Sequence, residues 1–257
     1  MPHLLVTGGA RRIGASVARH FAALGWAVTI HCNRSTDAAQ ALSDELGRDG
    51  HSCAVVQGDL ADAGAIDRIF DAALAATGPV DLLLNNASTF SNDDLLDLDE
   101  AKFDDHLAVN LKAPVRLSAR MADQAGGGDG LVVNMLDNKV FALNPDFFTY
   151  TISKSALLSA TRLLAKRLGG RPRVCGIAPS ITLVSGAQSE AEFQKTARIN
   201  PLGRRVFPED IARTLEYLWR EKGLDGHIVT LDGGQSLMEL GRDVAFLAQE
   251  DGVDGAL

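Results

Sequence analysis

Tyr150 and Lys154 stand four residues apart in Tyr150-Thr151-Ile152-Ser153-Lys154. On a helix that spacing puts both side chains on one face. An ammonium beside a phenol favours the phenolate, so the pair predicts a tyrosine pKa pulled down from about 10 towards working pH. A phenol tuned in this way can donate a proton and be recharged, which a reductase needs. Such pairs also occur on solvated helix faces. This one gains weight from its place at the start of a predicted helix, just after a strand end. Asp137 lies thirteen residues earlier, in Asn134-Met135-Leu136-Asp137. It is either a capping residue or a site carboxyl. An ionised carboxylate repels a developing oxyanion, so as a site group it suits a substrate that presents N–H groups. It can also relay a proton through Tyr150.

A second constellation binds rather than reacts. Thr7-Gly8-Gly9-Ala10-Arg11-Arg12-Ile13-Gly14 falls between the first predicted strand and the first predicted helix. Glycines there let the backbone turn sharply and approach a diphosphate, and the helix N-terminus offers free N–H groups. Gly8, Arg12, Ile13 and Gly14 are assigned to this loop. Arg12 takes a place usually held by glycine. It either pairs with the diphosphate, reaches towards the substrate, or is merely solvated. An acidic residue about 20 residues past the loop would mark NAD. Asn33-Arg34-Ser35 stands there instead and suits a 2′-phosphate, so the expected cofactor is NADPH. Asp59 and Leu60, in Gly58-Asp59-Leu60, are assigned to the adenine edge. Asn86, Ala87 and Ser88, in Asn85-Asn86-Ala87-Ser88, are assigned to the floor under the ribose and nicotinamide.

These residues need a scaffold, and the hydrophobic spacing supplies one. Strands are expected over 3–7, 26–31, 52–57, 80–85, 131–136, 173–177 and 227–231. Helices are expected over 12–24, 37–48, 62–76, 100–125, 150–168 and 208–220, the fourth of them running through Pro114 to the Gly126-Gly127-Gly128-Asp129-Gly130 cluster. Alternating short apolar strands and helices imply right-handed crossovers. The expected fold class is α/β, a single doubly wound (Rossmann) parallel sheet of about seven strands with helices on both faces. Residues 1–238 form the expected domain and 239–257 a C-terminal tail. The cluster Val244-Ala245-Phe246-Leu247 in that tail is expected to pack on a neighbouring subunit or to fray.

Composition narrows the partners. The 257 residues are 46% hydrophobic and 23% charged, which excludes a disordered chain. Basic residues number 25 and acidic residues 33, a net charge of −8, which argues against a nucleic-acid partner. No apolar run approaches the 18 or so residues of a membrane span, and the N-terminal segment lacks a basic, apolar leader, so a cytoplasmic location is expected. Cys32, Cys53 and Cys175 are odd in number and far apart, and suit buried thiols rather than disulfides or a metal site.

Taken together, the glycine loop with Arg12, the Asn-Asn-Ala-Ser turn, Asn110 in Val109-Asn110-Leu111, the Tyr150/Lys154 pair and Leu231-Asp232-Gly233-Gly234 resemble the short-chain dehydrogenase/reductase family over about residues 3–238. Most members carry Ser where Asp137 stands. That departure, Arg12, the stretch from His31 to Ser35, and Ser88 followed by Thr89-Phe90 resemble the pteridine reductase branch, which includes bacterial dihydromonapterin and dihydrofolate reductases. The resemblance implies catalytic roles for Asp137, Tyr150, Lys154 and Asn110. It implies a substrate site of Arg12, Ser88, Phe90, Asp137 and Tyr150, with the Phe90 ring holding a pterin against the nicotinamide. It further implies ribose contacts from Tyr150 and Lys154, and a carboxamide contact from Pro179, Ser180 and Ile181. Residues 182–200 correspond to the family's variable substrate loop. A homotetramer through the helices at 100–125 and 150–168 is implied as well. The expected activity is NADPH-dependent reduction of a dihydropterin. The alternatives are a general carbonyl or 3-oxoacyl-type reductase with Asp in place of Ser, and a non-catalytic NADP-binding sensor, which has no use for the Tyr150/Lys154 pair.

Overall fold

The computed structural model describes residues 1–124, 129–184 and 189–247. Ala125, Gly126, Gly127 and Gly128, four residues of the 182–200 loop and the tail from 248 onward lie outside the described residues.

Seven short strands form the sheet: β1 (His3–Val6), β2 (Ala27–Cys32), β3 (Cys53–Gln57), β4 (Leu82–Asn85), β5 (Leu131–Met135), β6 (Arg173–Pro179) and β7 (Ile228–Leu231). Their order is β3-β2-β1-β4-β5-β6-β7, and every pairing is parallel. The strands are apolar almost throughout because both faces are covered. Leu4 and Val6 of β1, with Leu82 and Leu84 of β4, pack on one side against α1 (Arg12–Ala23), α2 (Thr36–Arg48) and α8 (Pro208–Arg220). Leu5 and Leu83 point the other way, into α3 (Ala63–Thr77), α5 (Ala113–Asp123) and α6 (Phe148–Leu168). That split follows from the two-residue period of a strand.

The chain starts in the middle of the sheet, moves outward to β3, then returns to place β4 on the other flank of β1. A crevice opens at the carboxyl ends of the strands where the winding reverses, and ligands of such sheets bind there. The ends of β1 and β4 carry the glycine loop and the Asn85–Ser88 turn, so the topology brings two sequence-remote motifs to one place.

Three elements differ from expectation. The helix at 100–125 is α4 (Glu100–Leu107), a π turn over Ala108–Lys112, and α5. Pro114 stands in the first turn of α5, directly after the π turn. The 182–200 loop contains a further helix, α7 (Glu190–Thr196), opened by a Ser189/Glu192 capping box. The cluster in the tail forms α9 (Val244–Leu247) and packs on this chain, as described below. No described helix is long and apolar enough to cross a membrane.

Candidate active site

The glycine loop is held in a conformation that only small residues allow. Gly8 has φ +61°, and a Cβ on Gly14 would lie 2.4 Å from the Gly8 carbonyl oxygen and 2.8 Å from Gly9 Cα. Those neighbours are backbone and cannot step aside. Arg12 adopts φ +55°, a left-handed conformation that glycine takes without strain. Its guanidinium leaves the loop and donates to the carbonyls of Val184 (2.7 Å) and Leu183 (3.5 Å), on the substrate side. No acidic side chain sits in the first turn of α1 and Arg11 makes no side-chain cap, so the helix presents backbone N–H groups and partial positive charge to the crevice. The Asn85–Ser88 turn is pinned to the same loop. Asn86 and Ala87 N–H donate to Thr7 Oγ1 at 2.9 and 3.0 Å, and Asn86 Nδ2 donates to the Thr7 carbonyl at 2.8 Å.

His31 is a residue that spacing alone did not mark as part of the site. Its Nδ1 accepts from Gly8 N–H at 3.3 Å and its Nε2 donates to the Gly58 carbonyl at 3.0 Å. The ring thus links the diphosphate loop to the loop carrying Asp59 and Leu60. Burial lowers its pKa, which favours the neutral tautomer this pairing needs. The only sequence signal was its place in the basic stretch after the second strand.

Gly8, Arg12, Ile13, Gly14, His31, Asn86, Ala87 and Ser88 line one crevice with a cavity volume of about 900 Å³. Asn33, Arg34, Ser35, Asp59 and Leu60 line it beyond β2 and β3, and Phe90, Asp137, Tyr150, Lys154, Pro179, Ser180 and Ile181 line it beyond β4, β5 and β6, where the reacting end is placed. Ser180 Oγ is buried and has no hydrogen-bond partner among the described residues. A buried hydroxyl of this kind awaits a ligand group. With the glycine cradle, it makes the crevice a fit for a dinucleotide. Among the described residues no group of three His, Cys, Asp or Glu side chains is placed to hold a metal ion.

At the reacting end, Tyr150 Oη donates to Asp137 Oδ2 at 2.8 Å, while Asp137 Oδ1 accepts from Lys139 N–H at 2.9 Å. This arrangement corrects the expected tuning. Tyr150 has its pKa raised well above 10, first by burial and then by the adjacent Asp137 carboxylate. Lys154 does not reverse this, because its ammonium donates to the Met135 carbonyl at 2.8 Å and stands 5.8 Å from the centre of the Tyr150 ring. Burial lowers the lysine to about 8 and pushes the Asp137 carboxyl above the usual carboxylate range. The phenol is therefore held protonated, with a carboxyl of raised pKa directly behind it.

Asn110 does not face the crevice. It sits fully buried in the π turn, where Oδ1 accepts from Ser88 Oγ (3.0 Å) and Thr89 N–H (2.9 Å), and Nδ2 donates to the Thr89 carbonyl (3.0 Å) and Ser153 Oγ (3.1 Å). In this structure it fastens the turn after β4 to α6, which carries Tyr150. Phe90 follows that turn. Its ring is 47% exposed, stacks on Phe147 (4.5 Å, 25°) and meets Tyr150 edge-on (4.8 Å). It thus offers an open aromatic face beside the phenol. A buried chain absent from the sequence reading holds the start of α6. Asp93 accepts from the N–H and hydroxyl of Thr149, and His106 Nδ1 lies 2.7 Å from the same hydroxyl. Asp243, Val244 and Ala245, in the expected tail, also line the crevice.

Known proteins agree with this architecture. The model of the short chain dehydrogenase family matches residues 2–195. Short chain dehydrogenase claC of Passalora fulva is 31% identical over 249 residues, covering 90% of this chain and 92% of that protein. Among solved structures, FolM alternative dihydrofolate reductase 1 from Brucella canis, complexed with NADP, superposes with a TM-score of 0.89 and 43% identity, over 92% of this chain and 94% of that one. The Brucella suis protein, also with NADP, gives 0.86 and 42%, over 92% and 96%. With the Tyr150/Lys154 pair in the crevice and the family match spanning most of the sheet, the chain belongs to the short-chain dehydrogenase family and is an oxidoreductase.

Proposed function

We propose that this protein is an NADPH-dependent reductase of a dihydropterin of the dihydromonapterin, dihydrobiopterin or dihydrofolate type. The observation that carries the reading is the Asp137–Tyr150 hydrogen bond beside the open face of Phe90. The similarity to two NADP-bound alternative dihydrofolate reductases supports it. NADPH would be held by the loop from Gly8 to Gly14, by Asn33, Arg34 and Ser35 at the 2′-phosphate, by Asp59 and Leu60 at the adenine, and by Asn86, Ala87, Ser88, Lys154 and residues 179–181 around the ribose and nicotinamide. The cofactor supplies a hydride to a carbon of a ring C=N bond. Tyr150 Oη gives its proton to the adjacent nitrogen, and the phenol is recharged through Asp137, which takes up a proton from solvent and passes it on; its raised pKa favours that uptake. Phe90 stacks the ring. Arg12 borders the substrate, and Asn110 acts as the brace that keeps Ser88 and Tyr150 in register.

An NADPH-oxidation screen of dihydropterins against acetoacetyl thioesters and simple ketones tests the proposal. Turnover of ketones with every dihydropterin ignored would replace it with the general carbonyl or 3-oxoacyl-type reading.

Cofactor choice has its own test. Arg34 is exposed at the end of β2 with no acidic residue beside it until Asp37. Arg34→Asp removes a charge-assisted contact to the 2′-phosphate and should weaken NADPH binding by about tenfold or more, with NADH binding much less affected. Equal losses, or tighter binding of NADH by the wild type, would contradict the assignment.

A homotetramer built through α4–α5 and α6 completes the proposal. Leu163 on α6 is 66% exposed in the single chain, an apolar side chain suited to a partner helix. Light scattering should give a particle of four chains rather than one of 27.3 kDa. A cytoplasmic location is part of the same proposal, and fractionation checks it.

A further inference from the structure

Residues 242–247 fold back over the reacting end of the crevice and are tied there from several sides. Asp146 accepts from Arg242 Nε through both oxygens (3.0 and 2.9 Å) and from the Asp243 N–H (2.7 Å). Lys139 Nζ, on a side chain only 5% exposed, donates to Asp243 Oδ2 at 3.0 Å. Phe246 stacks on Phe147 at 5.5 Å and 24°, with the Arg242 guanidinium 5.2 Å above the Phe246 ring. Phe147 in turn carries Phe90 on its ring and Lys139 at 4.9 Å.

Lys139 is the hinge of this arrangement. Its backbone N–H donates to Asp137, and its side chain reaches Asp243. A buried ammonium needs a carboxylate, and removing one partner of a buried pair leaves the other charge uncompensated. The turn that this pair fixes also holds Asp137, the acceptor of the Tyr150 Oη hydrogen bond, while Asp146 is the other carboxylate whose charge the ammonium meets.

We propose that residues 242–247 form the substrate-side wall of the crevice, and that Asp243 is a positioning residue that, by pairing with Lys139, fixes the turn whose backbone N–H holds Asp137. The wall then shapes the space beside Phe90, while the ion pair keeps Asp137 engaged with Tyr150. This does not depend on the substrate being a pterin, because the wall borders whatever lies against Tyr150.

The test uses the full chain and two measurements. Amine acylation followed by peptide mass mapping reads the wall without any substrate. Lys139 should be protected in the wild type relative to exposed Lys222, and should become reactive in Arg242→Ala and Asp243→Ala. Steady-state kinetics with dihydrobiopterin and with an acetoacetyl thioester read the positioning. Arg242→Ala should raise KM about tenfold, the worth of one charge-assisted hydrogen bond, and lower kcat less. Asp243→Asn should lower kcat as well, and Asp243→Glu should recover it. NADPH binding by fluorescence should stay near the wild-type value. Lys139 labelled in the wild type as fast as Lys222 would overturn the wall, and kcat untouched in Asp243→Asn would overturn the positioning role. A wild type that reduces only the thioester leaves both readouts in place and counts against the dihydropterin reading alone.

Discussion

Tyr150→Phe should lower kcat by on the order of 10²-fold or more while NADPH still binds. The substitution keeps the ring and its edge contact with Phe90 at 4.8 Å, so the aromatic wall stays in place. It removes the one hydroxyl that donates to Asp137 and stands at the reacting end of the crevice. With the phenol pKa held high by burial and by Asp137, proton donation, not phenolate chemistry, is what the residue contributes in the reductive direction. Lys154→Ala should cost both turnover and cofactor affinity, because its ammonium sits where the ribose is expected. Rapid-quench or steady-state rates with a tight NADPH titration separate the two effects. Near-normal turnover in Tyr150→Phe would remove the central claim.

Asp137→Ser separates the substrate classes. It restores the residue most family members carry and deletes the carboxyl behind Tyr150. Charge-assisted hydrogen bonds are worth about 1.5–3 kcal/mol, so kcat/KM for a dihydropterin should fall roughly 10- to 100-fold. Activity towards small ketones should hold or rise, because a hydroxyl donor then faces the carbonyl oxygen. The Tyr150 pKa should fall too, since the adjacent carboxylate, which raises it by charge and by hydrogen bond, is gone, while burial and the more distant Asp243 remain. A pH profile of kcat is the readout for that shift. Unchanged dihydropterin turnover would make Asp137 a structural residue, consistent with its capping bond to Lys139 N–H.

The parts that sequence determined are those governed by local spacing. Gly8 and Gly14 must be glycine because a Cβ meets backbone, and that requirement is visible as a pattern in the chain. Apolar strands such as β1 and β4 are apolar because both their faces are covered, and alternation with helices then restricts the topology to a doubly wound sheet. Tyr150 and Lys154 share a face because a helix has a fixed period.

Tertiary structure decided what depends on distances between residues far apart in the chain. Spacing placed Lys154 near Tyr150, yet burial and the Asp137 carboxylate set the direction of the phenol's pKa. Asn110 was legible as a site residue, but its four contacts, to Ser88, Thr89 and Ser153, make it a brace. His31 joins two loops only because β1, β2 and β3 lie side by side. Residues 242–247 carry no local signal for covering their own crevice. Their partners, Lys139, Asp146 and Phe147, lie about a hundred residues away, and a pairing of that separation exists only once the sheet has brought both ends of the chain together. Desolvation and long-range pairing are properties of the packed molecule, whereas period and steric allowance belong to the chain itself.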